Sequence, residues 1–403
     1  MTSMTTPSGQ ALAYSYNSNN QLTGVSLNGA TLISNVTYEP FGPVAGWTWS
    51  NGTLAVRGYD LDGRLNLIDS AGLSTYGFDE AGQIRTRLDD TPAPYMLPAG
   101  ITTVAVDSAS NRITSTTGTL ARAHSYDAVG NTTTLGGVTL AYNYANRLKS
   151  ATQSGVTTNY TFNALGQRIR KSAASGTTVF VYDEAGHLLG EYTSTGGLIQ
   201  ETLWVGDIPI ATLRPKAGGG VDVFYVHTDH LNTPRRVTRP SDNMIVWRWD
   251  SDPFGNAPAN ADPDGDSAQF AYPLRFPGQY FDAESGLHYN YSRNYDPQTN
   301  RYVESDPIGQ RGGINTYIYA LANPISYVDS FGLFCTKDFV SHYYFGSGPI
   351  DLGSVGLQNQ FKNSASVQSA VSQFNGLLRS GGKARAAKAC AGRTSGARLT
   401  RLC

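Results

Sequence analysis

Charge and cysteine are both scarce in this chain. Asp, Glu, Lys and Arg make up 15% of its 403 residues, against roughly 25% in an average soluble domain. The three cysteines, Cys335, Cys390 and Cys403, lie together near the C-terminus, and no CxxC spacing occurs. These absences exclude a disulfide framework for the body of the chain and argue against a structural zinc site.

Long apolar stretches are also missing. No segment approaches the roughly 18 consecutive apolar residues that predict a membrane span. The first ten residues, MTSMTTPSGQ, lack the basic and then apolar segments of a signal peptide. The sequence therefore predicts neither a membrane anchor nor a cleaved leader.

Glycine and tyrosine are plentiful instead, with 44 and 24 residues. Aromatic and β-branched residues favour pleated sheets, and scattered glycines favour tight turns. The composition predicts an all-β protein and excludes a helical bundle. The hydrophobic content of 40% is too high for a disordered tether.

The net charge of −1 is the sum of two parts of the chain with opposite charge. Residues 334–403 contain nine Lys or Arg and two Asp, whereas the remainder is acidic. The break predicts a separate basic tail behind a mildly acidic body.

The body contains an internal repeat, in which an aromatic residue is followed by Asp or Asn and then by Gly four positions after the aromatic. Strong copies begin at Tyr59, Phe78, Tyr126, Phe162 and Tyr182. Weaker copies are assigned to Tyr16, Tyr38, Val106 and Tyr144. The spacing of about 20 residues over nine units predicts stacked β-hairpins.

Each unit has a simple physical plan. The aromatic residue ends one strand, the Asp or Asn side chain bonds the backbone two residues on, and the Gly takes a positive φ. Because a lone hairpin is marginal in water, the units are expected to stack into one long winding sheet. A role of the Tyr-Asp pairs as sugar ligands is the weaker interpretation, so carbohydrate binding is not expected.

These units resemble the YD repeats of RHS proteins, a family related to the YD shell of teneurins and to the C component of bacterial toxin complexes. Residues 275–333, from RFPGQY to VDSFGL, resemble the RHS repeat-associated core element. The resemblance predicts YD repeats over 1–215, the core element over 216–333 and a variable C-terminal tail over 334–403. It implies an open or partial curved β-shell, completed by a missing N-terminal portion.

By the same resemblance the core element is an aspartyl-type autoprotease. Its two motif aspartates correspond to Asp306 and Asp329, and the cut would fall between Leu333 and Phe334. Two carboxylates held close cannot both ionise, so one acts as an acid while the other activates water. Arg301 or Arg311 is expected to stabilise negative charge there.

Two positions depart from the family pattern. The second aspartate motif has Ser330 where the family has Pro, and Gln310 stands where an apolar residue is usual. Since Asp-initiated turns with Gly occur in any protein, a purely structural role of both turns is the alternative.

Two other clusters invite a metal interpretation. The run Asp262-Pro-Asp264-Gly-Asp266 has the carboxylate alternation of a calcium loop but lacks the bidentate Glu, so an acidic surface loop is favoured. His227, Asp229 and His230 resemble a structural segment of the family. No metal and no cofactor is predicted.

The tail carries an amphipathic pattern over 365–379 that predicts one helix, whereas residues 380–403 have hardly an apolar side chain, so the tail is expected to be partly disordered. Its basic charge favours a nucleic-acid-directed toxin. The one conventional general base is His342, with Asp338 or Asp351 to orient it and Lys362 to face phosphate. An inert end is the alternative.

The leading hypothesis is an RHS shell fragment with a C-terminal effector tail, acting in bacterial competition or toxin delivery. It would be secreted, or exposed at the cell surface, through a specialised secretion system, and an immunity protein would be a partner. The alternative is a non-enzymatic β-repeat protein that binds at a cell surface and has an inert tail.

Overall fold

The computed structural model describes residues 2–40, 42–90 and 103–334. Those residues form twenty-eight strands and three short 3-10 helices, Gly118–Leu120, Gly309–Gly312 and Ala320–Ala322, without an α-helix. The all-β prediction is confirmed. The helix predicted over 365–379, and His342 with its proposed partners, lie outside the described residues. Within the described part, no helix is long and apolar enough to cross a membrane.

The first nine strands form one antiparallel sheet in which each strand pairs with the next. They are β1 Ser3–Thr5, β2 Ala11–Tyr16, β3 Leu22–Leu27, β4 Ala30–Tyr38, β5 Val44–Trp49, β6 Leu54–Tyr59, β7 Leu65–Asp69, β8 Leu73–Phe78 and β9 Ile84–Asp89. A separate pair follows, β10 Val104–Val106 and β11 Ile113–Thr116.

Thirteen further strands form a second up-and-down sheet, the wall. They are β12 His124–Tyr126, β13 Thr132–Leu135, β14 Val138–Tyr142, β15 Leu148–Gln153, β16 Val156–Phe162, β17 Arg168–Ala173, β18 Gly176–Tyr182, β19 Leu188–Thr193, β20 Leu198–Val205, β21 Ile208–Pro215, β22 Val221–Thr228, β23 Pro234–Thr238 and β24 Ile245–Arg248. The wall continues beyond residue 215, where the boundary of the repeats was predicted.

A four-stranded antiparallel sheet, the core sheet, completes the set. Its strands are β25 Tyr280–Asp282, β26 Leu287–Asn290, β27 Arg293–Asp296 and β28 Arg301–Tyr302. The expectation of one continuous sheet was therefore wrong, because the described strands form four separate sheets. The hairpin stacking itself is as predicted.

The repeat turns follow the predicted plan. Asp60 Oδ1 accepts hydrogen bonds from the backbone N–H of Asp62 at 3.0 Å and of Arg64 at 2.9 Å. The glycines four residues after the aromatic all have positive φ: Gly63 76°, Gly82 73°, Gly130 100°, Gly166 80° and Gly186 94°. The turn assignment of the five strong copies is confirmed.

One weak copy was placed two residues too late. The repeat aromatic is Tyr142, followed by Asn143, whose Oδ1 accepts the N–H of Ala145 at 2.9 Å. Tyr144 is exposed in the turn. The pattern was hidden because Asn146, with φ 55°, takes the position that Gly holds elsewhere, and Asn is the residue other than Gly that tolerates this conformation best.

The repeat tyrosines also join neighbouring units. The hydroxyl of Tyr59 donates to the carbonyl oxygen of Val44 at 3.0 Å, and that of Tyr182 donates to Arg168 O at 3.0 Å. Each ring is half-buried. A ring at this place thus provides packing area and a polar anchor on the preceding hairpin.

The core sheet packs on the wall. A buried cluster combines wall residues such as Phe180 and Trp247 with Tyr280, Tyr295 and other residues that follow the wall. Arg168 of β17 is 1% exposed, pairs with Asp282 of β25, and lies over several aromatic rings. The core sheet is therefore held on the wall by apolar area and by a buried ion pair.

Candidate active site at the two aspartate turns

Asp306 and Asp329 each open a turn built like those of the repeats. Asp306 Oδ1 accepts the N–H of Ile308 at 2.9 Å, and Asp329 Oδ1 accepts the N–H of Leu333 at 2.9 Å. Gly309 and Gly332, three residues after each aspartate, have φ of 63° and 64°. Local turn chemistry thus fixes both carboxylates.

A single guanidinium brings the two aspartates together. Arg293 Nη2 lies 3.0 Å from Asp306 Oδ2 and 3.1 Å from Asp329 Oδ2. Its Nε donates to Gly332 O at 2.6 Å. Because one nitrogen contacts both carboxylates, their nearest oxygens lie within about 6 Å of each other.

Asp329 has a second set of partners on the core sheet. The hydroxyl of Tyr302 donates to Asp329 Oδ2 at 2.9 Å. Asn290 Nδ2 donates to Tyr302 Oη and to the backbone oxygen of Asp329, both at 2.7 Å. Tyr302 and Asn290 are 2% and 0% exposed, so the carboxylate is held by groups that cannot exchange partners with water.

Gly312 lies between the first aspartate and the predicted cleavage position. A Cβ added to this glycine would overlap Asp306 Oδ2 and stand 2.8 Å from the carbonyl oxygen of Leu333. The Asp306 carboxylate and the carbonyl of the Leu333–Phe334 peptide are therefore close neighbours. The structure brings both predicted aspartates to the predicted peptide.

Burial dominates the electrostatics of the pair. It raises the pKa of Asp306, against the opposing effects of Arg293 and of the Ile308 N–H, and the nearby Asp329 adds to the rise. Burial also raises the pKa of Asp329, where Arg293, the N–H of Leu333 and Tyr302 oppose it. Raised carboxyl pKa values are what an acid that works near neutral pH requires.

Of the two arginines expected to support the aspartates, Arg301 points to other partners and Arg311 is exposed. The Arg301 guanidinium donates to Asn111 O and to Asn315 Oδ1, the latter at 3.2 Å. Sequence reasoning missed Arg293, Tyr302, Asn290 and Gly312. The available signal was their position within the core-element motifs, on the hairpin and loop beside the aspartates.

Gln310 and Ser330, the two residues that differ from the family pattern, both lie where the family residue could be accommodated. Gln310 is exposed, so an apolar side chain there would have little to pack against. The Ser330 carbonyl occupies the space left by the missing side chain of Gly278. Within the described residues, the Ser330 N–H donates no hydrogen bond, so a proline at 330 would remove none.

The wall supports the site through its turns. The hydroxyl of Tyr317 donates to Gly130 O at 2.7 Å, and that of Tyr291 donates to Gly186 O. Arg147 Nη1 donates to Tyr291 O at 2.7 Å. Core residues around the aspartates are therefore anchored on turns that belong to the repeats.

Tyr291 transmits this anchoring to the second aspartate turn. It has φ 51°, which is strained for a bulky residue, and it sits at the tip between Asn290 and Arg293. Its ring lies 5.2 Å from that of Phe331, and Phe331 O accepts the N–H of Ser292 at 3.2 Å. Contacts on both sides of the tip hold the strained residue in place.

The two metal interpretations fare differently. His227 bonds Ser70 Oγ at 2.7 Å and Thr238 Oγ1 at 2.8 Å, and Asp229 pairs with Arg235. Among the described residues, one cluster of acidic side chains is compact enough to hold a cation, and it consists of Asp262, Asp264 and Asp266. Arg239 pairs with Asp264 and Asp266, which fits the acidic surface loop that was favoured.

Comparisons with known proteins relate the chain to bacterial toxins. No family model matches it. It is 39% identical over 123 residues, 30% of its length, to Double-stranded DNA deaminase toxin A of Burkholderia cenocepacia. It is 40% identical over 126 residues, 31% of its length, to Toxin protein Tse5 of Pseudomonas aeruginosa. A third relative, Probable deoxyribonuclease RhsA of Dickeya dadantii, is 32% identical over 181 residues, 43% of the chain.

The matched part is small on the side of the relatives. The chain covers 8%, 9% and 12% of these three proteins, about a tenth of their length. Among solved structures, it matches a chain of the Photorhabdus luminescens Tc holotoxin pore with a TM-score of 0.59 and 18% identity, covering 83% of this chain and 21% of that one.

A second likeness is to the complex TcdB2-TccC3 without its hypervariable C-terminal region. Its TM-score is 0.58 at 18% identity, with 81% of this chain and 20% of that chain covered. At this identity the likeness concerns the fold. In its hairpins and in the motifs of residues 275–333 the chain resembles RHS repeat proteins, these relatives are named as toxins and as a probable deoxyribonuclease, and the fold is shared with the Tc toxin chains.

Proposed function

We propose that this chain is part of an RHS shell that cuts its own Leu333–Phe334 peptide and thereby releases a C-terminal effector tail. The observation that carries the proposal is the convergence of Asp306 and Asp329 on Arg293, beside the carbonyl of Leu333. Because the peptide and the two acids belong to one chain, attack is intramolecular. Such orientation can lower a barrier by about 7–11 kcal/mol.

The roles of the two acids follow from their positions. Asp306, whose Oδ2 lies beside the Leu333 oxygen, donates its proton to that oxygen. Asp329 takes a proton from a water molecule whose oxygen attacks the Leu333 carbonyl carbon. The C–N bond then breaks, the proton on Asp329 passes to the Phe334 nitrogen, and the new Leu333 carboxyl group returns a proton to Asp306. The products are a Leu333 carboxyl group and a Phe334 amine, and both aspartates are back in their starting states.

Arg293 has a separate task in this scheme. Its guanidinium contacts both carboxylates, and it stacks 3.7 Å from the centre of the Tyr302 ring. A fixed positive charge here offsets the negative charge that Asp306 acquires when it gives its proton to the carbonyl oxygen. The role expected of Arg301 or Arg311 thus passes to Arg293.

The wider role is also part of the proposal. Relatives named as toxins and as a probable deoxyribonuclease, together with the basic composition of residues 334–403, support a nucleic-acid-directed tail in bacterial competition. The short share of each relative that is matched supports a larger assembly, delivered by a specialised secretion system. An immunity protein would protect the producing cell.

The test is to follow scission in the full chain made by cell-free synthesis. All four methionines precede residue 334 and all three cysteines follow it, so the two labels report the body and the tail separately. We expect the wild type to divide into fragments of 333 and 70 residues, with Phe334 as the new N-terminus. Asp306→Asn and Asp329→Asn should each abolish the division.

The matched control is Asp79→Asn, since Asp79 opens a repeat turn of the same kind and Asn163 fills that role in another repeat. This variant should divide like the wild type, and so should Ser330→Pro, which restores the family residue. A wild type and a Ser330→Pro chain that both stay whole would refute self-cleavage. That result would favour the alternative, a β-repeat binding protein with structural turns.

A further inference from the structure

The two aspartates differ in the number of donors that face them. Asp329 receives three hydrogen bonds, from Tyr302 Oη at 2.9 Å, from the Leu333 N–H at 2.9 Å and from Arg293 Nη2 at 3.1 Å. Asp306 has Arg293, which both share, and the N–H of Ile308 at 2.9 Å. The difference in side chains is the Tyr302 hydroxyl.

The direction of that hydroxyl is set by its neighbour. Asn290 Nδ2 donates to the Tyr302 oxygen at 2.7 Å, and the same amide donates to the backbone oxygen of Asp329 at 2.7 Å. Since the phenol oxygen already accepts one hydrogen bond, its own hydrogen is directed to Asp329 Oδ2. Asn290, Tyr302 and Asp329 therefore form a chain of donors that ends on the carboxylate.

The surroundings keep Tyr302 a donor. Burial, followed by the charge of Asp329, raises the pKa of Tyr302 far above its ordinary value. The ionisable groups that face the chain of donors are Arg293 on β27, Asp306 in its turn and Tyr319 behind the Tyr302 ring. Arg293 is shared by the two carboxylates and so does not distinguish them, and the rings of Tyr319 and Tyr302 lie 5.8 Å apart between their centres.

We propose that Tyr302, oriented by Asn290, is a positioning residue that makes Asp329 the base and leaves Asp306 the acid. Hydrogen bonds to the charged form of a carboxyl favour that form. The additional donor therefore lets Asp329 lose its proton before Asp306 does. This inference rests on the self-cleavage proposed above and assigns its two roles.

The probe is Tyr302→Phe, which keeps the ring under Arg293 and removes the hydroxyl alone. The full chain is made by cell-free synthesis, stopped, transferred to buffers from pH 4 to 9, and followed on gels. The low-pH limb of the rate profile reports ionisation of the base. Without the Tyr302 donor this limb should move up by about one pH unit, as expected for one hydrogen bond to a charged group.

The rates then follow from the shifted limb. The low-pH limb of each protein has its own midpoint. At pH values below the midpoints of both proteins, Tyr302→Phe should cleave about tenfold more slowly than the wild type, and at pH values above both midpoints the two rates should converge. The matched control is Tyr295→Phe. Tyr295 is opposite Tyr302 in the core sheet and 0% exposed, and its hydroxyl donates to Phe254 O at 2.8 Å, away from the aspartates.

The outcomes separate this inference from the proposal beneath it. A wild type that stays whole at every pH overturns both. A wild type that cleaves while Tyr302→Phe shows the same limb, or the same shift as Tyr295→Phe, overturns the assignment of roles alone. If Tyr302→Phe does not fold, Asn290→Ala replaces it, since the released hydroxyl is free to turn away and the limb should move in the same direction.

Discussion

Gly312 offers a direct test of the geometry beside the predicted cleavage position. Its φ lies outside the left-handed region, so alanine introduces no backbone strain. The added Cβ would overlap Asp306 Oδ2 and approach the Leu333 oxygen to 2.8 Å. Gly312→Ala therefore places one methyl group between the proposed acid and the carbonyl that it protonates.

The size of the effect follows from the contact distances. Ordinary van der Waals contact begins at about 3.4 Å, so the Leu333 carbonyl must retreat by roughly 0.6 Å and the Asp306 carboxylate by more. A misplacement of about 1 Å in a reacting pair costs on the order of 10²-fold in rate. We expect Gly312→Ala to slow self-cleavage by about that factor while the chain still folds.

The assay follows cleavage over time with the methionine and cysteine labels described above, and a thermal melt of each full chain checks that it folds. The matched control is Gly137→Ala, because Gly137 has neither a positive φ nor any atom within 4 Å of the added Cβ. Gly137→Ala should cleave at the wild-type rate. Cleavage of Gly312→Ala at that rate would show that Asp306 and the Leu333 carbonyl do not meet there, and the reasoning would fail.

Two further predictions concern the support of the site. Arg168→Met should lower the free energy of unfolding by about 3–5 kcal/mol, because Asp282 keeps its charge in the interior; denaturant melts should show little change for Arg170→Met, which is exposed on the same strand. Burial opposes the charged form of His187, but the carboxylates of Asp183 and Asp207 raise the pKa of His187 to about 9. Its stabilising contribution, on the order of 3 kcal/mol, should be complete below pH 6.5 and lost as the pH rises through about 9. Melting temperatures against pH should show this fall in the wild type and not in His187→Gln.

The sequence predicted the hairpins because their determinants are local. An Asp or Asn side chain bonds backbone groups two and four residues on, and a Gly at a fixed distance closes the turn. The error at Tyr144 has the same origin, since Asn146 adopts the conformation for which Gly is the usual sign. The two aspartates were within reach of sequence reasoning because each opens such a turn.

The residues that support the two aspartates could not be predicted from the sequence. Arg293 is one of several arginines in the core element, and nothing local distinguishes it from Arg301, which points toward Asn111 and Asn315 instead. The distinction arises from the pairing of β26 with β27, whose hairpin turns Asn290 and Arg293 toward the second aspartate turn. Contacts over such separations depend on how sheets pack, and a single sequence does not contain that information in readable form.

The tyrosine anchors of the core residues on Gly130 and Gly186 impose an order in time. During synthesis from the N-terminus, the wall hairpins emerge well before Tyr291, Arg293 and the aspartates. Tyr291 finds no carbonyl to bind until the turn at Gly186 has closed. The peptide at Leu333 thus acquires its surroundings last, and its scission would mark a chain whose walls are already built.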